Sequence, residues 1–395
     1  MGMSKKIRLL FAVALASILG AAFIGGCSAA PEPEEPMPEP VVVAPTPEPE
    51  PEPEPEPNLP RLPYSGFEVE EGDPLINIRP LSVKIENTPD SRPALGITLA
   101  DVVYETITEG GITRFNALWH SVMPEAVGSV RSARNSDLTI VPQYNAIFVF
   151  SGTNSLVWAD LGRTWINYFE EGTSGGSLYR IGHKSAPHNL YLNIEKAQAR
   201  ADERGYTWYQ PWPQGLMFGD YDTSALGDKY DAIEIFVPFS GSMFDVTWIY
   251  DPERGCYLRY IRGTPQTDEG YNQEQIVADN VIFMDIPYTN APDVPGKGQT
   301  YNMNFNGYGT AFIFRDGVRI DCTWETDGAR PPHFHDSNGD LVLLKPGKTW
   351  FQIPRDIFKI AVKTGHPEYD DPDAAVSEET DEDAVDAANA ADVDE

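Results

Sequence analysis

DVVYETITEGGITRFNALWHS, residues 101–121, is the stretch on which the fold turns. Two runs rich in β-branched and aromatic residues flank Gly110-Gly111. Such runs read as strands, and a glycine pair lets the chain reverse between them. The segment therefore predicts two strands folded back on each other, with Glu109 brought near Arg114. LSVKIEN (81–87) and AIFVFSG (146–152) extend the strand pattern to either side. SARNSDLTIVPQY (132–144), SLVWADLG (155–162) and IEKAQARADERG (194–205) read as helices, the last through its Ala, Glu, Gln and Arg content. Strands interleaved with helices predict a sheet with helices packed on it.

Further along, the pattern changes. AIEIFVPFS (232–240), FDVTWIYD (244–251), CYLRYIRG (256–263), NVIFMDIP (280–287), GTAFIFRDG (309–317), VRIDCTWE (318–325), LVLLKPG (341–347) and KTWFQIP (348–354) follow at close spacing. Asp316-Gly317 is a tight-hairpin signal. Repeated short strands suggest an antiparallel sandwich or partly open barrel. The fold class is α+β: an N-terminal mixed α/β sheet domain (62–205), a connector (206–230) and a smaller, mainly antiparallel β domain (231–365).

The ends differ from this middle. Residues 1–26 read as a signal peptide, with Lys5, Lys6 and Arg8 ahead of an apolar run. It closes on Ile24-Gly25-Gly26-Cys27, which resembles a bacterial lipobox and implies lipidation of Cys27. Residues 27–61 form a Pro/Glu-rich linker, stiffened by proline and stretched by like charge. Residues 366–395 are acidic and poor in large apolar groups, and read as a disordered tail. The chain of 395 residues carries a formal charge of −31. Much of that lies in the tails, since 38 acids and 26 bases fall in residues 58–366. An acidic globular part argues against nucleic acid as a partner, because affinity for phosphate backbones comes from Lys and Arg.

RPLSVKIENTPDSRPALGITLADVVYE (79–105), EGGITRF (109–115), GSVRSAR (128–134), APHNLY (186–191), the GTAFIFRDG and TWE stretches, and KPGKTWFQIP occur in one colinear order. Together they resemble the YerB-like bacterial lipoproteins, a family of unknown function. The resemblance covers about residues 62–362. It implies a two-part architecture on a lipid-anchored, extracytoplasmic chain. It brings no reaction, ligand or catalytic residue.

Candidate sites rest on the residues. In AVGSVRSARNSD (126–137), Ser132 reads as the N-cap of a helix, placing Arg131 and Arg134 at its mouth. With Arg114 they form a candidate anion site for a carboxylate or phosphate. The competing reading pairs these arginines with the chain's own Glu105, Glu109 or Asp137. Glu105 and Glu109, four residues apart, would share one face of a strand, as a catalytic carboxylate pair needs. His188 with Asn189, in HKSAPHNLY, offers a proton-transfer group or a loop-ordering pair. Cys256 and Cys322 either pair as a disulfide or stay as small buried thiols. No metal motif survives inspection: HExxH is absent, and Asp336-Asn338-Asp340 lacks the glycine an EF-hand loop requires. Gly172-Thr173-Ser174-Gly175-Gly176 matches a nucleophile elbow only formally, without the strand and helix that motif needs. No P-loop or dinucleotide fingerprint is present, and no cofactor is expected. The residues favour a membrane-anchored protein that binds an anionic cell-envelope component or a protein partner. A cell-wall hydrolase or transferase using Glu105, Glu109 and His188 is the alternative. A small-molecule receptor with an interdomain cleft is a third.

Overall fold

The computed structural model describes residues 59–211, 215–224, 226–241, 243–292, 299–366 and 369–370. The signal peptide, Cys27, nearly all of the linker and most of the acidic tail lie outside them. The first region contains β1 (Leu81–Glu86), β2 (Val102–Ile107), β3 (Thr113–Trp119), β4 (Ala126–Gly128), β5 (Ile147–Val149), β6 (Tyr168–Phe169), β7 (Leu178–Arg180) and β8 (Leu190–Asn193). Its helices are α1 (Asp137–Ile140), α2 (Ser155–Leu161) and α3 (Ile194–Glu203). Asn154 and Asn193 cap α2 and α3, accepting from the backbone N–H groups of Val157 at 3.0 Å and Lys196 at 2.9 Å.

The second region supplies β9 (Glu234–Val237), β10 (Val246–Asp251), β11 (Cys256–Ile261), β12 (Thr264–Pro265), β13 (Val277–Ala278) and β14 (Asn280–Met284). After these come β15 (Thr289–Asn290), β16 (Tyr301–Asn302), β17 (Gly307–Arg315), β18 (Val318–Thr326), β19 (His333–His335), β20 (Thr349–Ile353) and β21 (Ala361–Lys363). The β17–β18 hairpin turns on Asp316 and Gly317, at φ 53° and 77°, the left-handed geometry that such a short turn demands. LVLLKPG does not form a strand. It runs as an irregular segment that touches Phe218 and His335 through isolated bridges.

The fold is α+β, built on one mixed sheet and smaller antiparallel ones. A ten-stranded sheet runs β19-β18-β17-β14-β20-β2-β3-β1-β5-β6. A second sheet runs β12-β11-β10-β9-β21, with β13 on β11, and a third runs β4-β8-β7. The sandwich or barrel expected of the second region alone is not what forms. Five of its strands continue the sheet of the first region. The reason lies in β20, whose residues are all buried and which pairs parallel with both β2 and β14. Burial on both faces marks the interior of a sheet, not one wall of a sandwich. Trp350 enters the core that the large sheet shares with β9–β11, and Phe351 enters the core on the other side with Tyr104, Tyr144 and Phe148.

Candidate functional site

The segment 126–137 leaves β4 as an extended strip laid along the end of β1. The N–H of Arg131 donates to the Lys84 carbonyl at 2.9 Å, and the N–H of Glu86 donates to the Ser129 carbonyl at 2.9 Å. The N–H of Ala133 donates to the Gly152 carbonyl at 3.1 Å, tying the strip to the loop after β5. Ser132 therefore caps no helix. Helix α1 starts only at Asp137 and spans four residues. The N–H of Arg134 is taken by the Asp137 carboxylate at 2.7 Å, so the expected anion site at a helix mouth is filled from within.

Alternation along β1 sends Ser82, Lys84 and Glu86 to the face that this strip covers. Lys84 and Asp137 form an ion pair at 2.8 Å with both side chains fully buried. Asp137 also accepts from Asn116 at 2.9 Å. Arg131 lies 3.4 Å from the Glu86 carboxylate, and His188 Nδ1 lies 2.9 Å from the same oxygen. Arg134 pairs with Glu109 at 2.7 Å. Burial alone would raise the Glu86 carboxyl, but the His188 hydrogen bond and the Arg131 charge outweigh it and hold it below the usual range. Burial likewise opposes ionisation of Glu109, and Arg134 with Arg114 overcomes it. Arg114 stands opposite Glu86 across the β1–β3 pairing, and its Nη1 donates to the Ser132 carbonyl at 3.4 Å. The arginines of the strip are thus engaged by the chain's own acids, with Glu86 as the unforeseen partner. Its signal in LSVKIEN was weak, because a polar residue at alternate positions reads equally well as a solvated face.

The proposed carboxylate pair does not assemble. Strand β2 ends at Ile107, and Glu109 sits in the glycine turn with its carboxylate on Arg134. Glu105, fully buried, turns to Arg259 of β11 at 2.7 Å and accepts from Asn87, Thr113 and Gln352. Each acid is held by a different arginine, on separate elements. Asn189 accepts from Arg180 at 2.9 Å and donates to the Ile181 carbonyl, ordering the loop that carries His188. Cys256 and Cys322 are free and buried on β11 and β18, strands of different sheets, so the disulfide is not formed. Asp336 uses one carboxylate oxygen to accept the N–H groups of Asn338 and Asp340, a turn that holds itself together. Among the described residues, Asp228, Asp231 and His366 bring potential metal-ligand atoms within 4.8 Å of one another, with Asp228 exposed and the other two half-buried.

Two clefts border the strip. One, of about 380 Å³, is lined by Arg131, Ser132, Ser151, Thr153, Glu170, Glu171 and Arg180, with Pro187 and Leu190. The other, of about 260 Å³, lies at Arg134, Asn135 and Asn154, facing Tyr301. Arg180, which the sequence did not single out, pairs with Glu171 at 3.0 Å on the rim of the larger one.

Comparison with known proteins matches residues 66–207 to the N-terminal domain, and residues 235–351 to the C-terminal domain, of a protein of unknown function, DUF3048. The chain belongs to the DUF3048 family. It is 27% identical over 306 residues to "Putative lipoprotein YerB" of Bacillus subtilis (strain 168), covering 77% of this chain and 89% of the relative. A crystal structure of the YerB protein from Bacillus subtilis superposes with a TM-score of 0.68 at 25% identity, over 77% of this chain and 99% of the other. The two DUF3048 domains fall on the two sequence regions, and both contribute strands to the ten-stranded sheet.

Proposed function

We propose that this chain is a lipoprotein anchored through Cys27, standing on the extracytoplasmic face and binding an anionic cell-envelope component in the cleft beside Arg131. One observation carries the reading: Arg131 and Arg180 border a cleft of about 380 Å³ together with the hydroxyls of Ser132, Ser151 and Thr153. Glu170 and Glu171 line the same cleft, so a ligand with an amine beside its carboxylate, such as a wall peptide stem, meets both signs of charge. The relative named a putative lipoprotein, matched over 89% of its length, together with the lipobox-like Cys27, supports the anchor. Retention of the full chain on purified wall polymers tests the cleft. Arg180→Ala and Arg131→Ala are expected to reduce retention several-fold, and equal retention by all three proteins overturns the site.

A catalytic reading keeps one favourable observation. The His188 ring is oriented by the buried Glu86 carboxylate, which is how a proton-transfer imidazole is held. Incubation with peptidoglycan and chromatography of released fragments tests it. Release by the wild type that stops in His188→Ala supports catalysis, and absence of release ends it.

A further inference from the structure

Away from the strip, a cleft of about 530 Å³ is lined by Arg92, Pro93, Ile261, Arg262, Thr264, Pro265, Gln266 and Thr267. Two guanidiniums and two hydroxyls face it, and among the described residues no carboxylate does. That is unusual in a chain with this excess of acids. Among the described residues, neither Arg92 nor Arg262 makes an ion pair. Arg92 spends Nε on Asn87 at 3.1 Å and Nη2 on the Met243 carbonyl at 2.9 Å, both neutral acceptors. Below the cleft, Gln266 accepts from Arg259 and donates to Asn87. The charges that act on Arg92 are those of Arg259 and Arg262, with the Glu105 carboxylate opposing them. Burial first, and then the Arg259 charge, pull the Arg92 guanidinium down to about 10, and Arg262 adds to that repulsion. The nearest acids in sequence are engaged by groups other than these two arginines. Asp268 accepts from Gly96 and Thr98, and Glu269 from Lys184 and Tyr191.

Backbone geometry adds an independent sign. Arg262 is the first residue of the two-residue β11–β12 hairpin, at φ 52°, a position that favours asparagine or glycine. An arginine held in left-handed geometry at a cleft rim is the kind of local misfit that function explains.

We propose that this cleft binds a phosphoryl group on a small organic body, gripped by Arg92 and Arg262 and by the hydroxyls of Thr264 and Thr267. Two permanent charges and two neutral donors suit the three terminal oxygens of a phosphate monoester better than the two of a carboxylate. Pro93, Ile261 and Pro265 supply an apolar wall for the organic part. The site is separate from the cleft at Arg131 and does not depend on it.

Calorimetric titration of the full chain in detergent with glycerol 3-phosphate, inorganic phosphate and acetate tests this. Both phosphates are expected to bind and acetate is not. Arg262→Asn keeps a residue suited to the turn, so its melting temperature should hold or rise while phosphate affinity falls at least about tenfold. Thr264→Val is expected to weaken binding severalfold, and Arg180→Ala to leave it unchanged. Absence of phosphate binding, equal affinity in Arg262→Asn, equal binding of acetate, or loss of phosphate binding in Arg180→Ala would each overturn the assignment.

Discussion

Arg259 shows what a single side chain does in this molecule. It is fully buried, with its guanidinium carbon 4.7 Å from the Trp350 ring centre, 5.2 Å from that of Trp248 and 5.5 Å from that of Phe115. Burial pulls its guanidinium below the ordinary arginine range, and Glu105 at 2.7 Å works against that. Removing one member of such a pair strands the other, at about 3–5 kcal/mol. Glu105→Gln is expected to lose that much in urea unfolding. Glu105→Gln combined with Arg259→Met should lose clearly less than the sum of the two single changes. Glu109 makes a second case at this scale. Its carboxyl is held below its ordinary 4.5 by Arg134 and Arg114 against the effect of burial. A depressed carboxyl stabilises the fold above its unfolded pKa, and that contribution fades as pH falls through the folded value. Wild-type stability should therefore drop below about pH 4.5, and Glu109→Gln should be less stable at neutral pH yet lose less on acidification. Urea midpoints at about pH 7 and about pH 3 measure the difference.

Among the elements, the junction ahead of β20 decides how that strand enters the sheet. Gly347 has φ 140°, and a Cβ there would overlap the Asp279 carboxylate that caps the Lys348 N–H. Gly347→Ala is expected to cost about 1–3 kcal/mol, read as a lower melting temperature. The same junction shows where sequence reading stops. β1, β2, β3, β5, β14, β17, β18 and β20 were legible because β-branched and aromatic residues cluster between turn residues. LVLLKPG carries the same composition and is not a strand, since its apolar side chains fill a core from an irregular backbone. Nor could composition reveal that Glu105 meets Gln352, 247 positions away. In the candidate site, Arg131, Arg134, Arg114, Glu109, Asp137 and His188 were all visible as chemistry-bearing types. Glu109 and Asp137 were also visible as partners for the arginines, and both meet Arg134, but Glu86 and Lys84 were not, because they look like surface charges until a covering strip buries them.

For the whole molecule, the sheet that both regions share implies one cooperative unit. Strand β20 lies between β2 and β14, and β2 belongs to the first region. A fragment ending at residue 230 leaves β2 without that neighbour and leaves Val103, Ile107 and Phe115 without the core contributed by β9–β11. It should show no cooperative thermal transition, whereas the full chain should unfold in one calorimetric step. Two separate transitions in the full chain would contradict this.

The same placement of β20 also governs the order of events in time. The ribosome makes the first region well before residues 349–353 exist, so the middle of the sheet is the last piece to be delivered. Until then β2 presents a bare edge, and the closing contacts span most of the chain. Contacts of such sequence separation slow folding. The large sheet therefore closes late, after a long stretch of chain has already been made, and β20 acts as its final fastening.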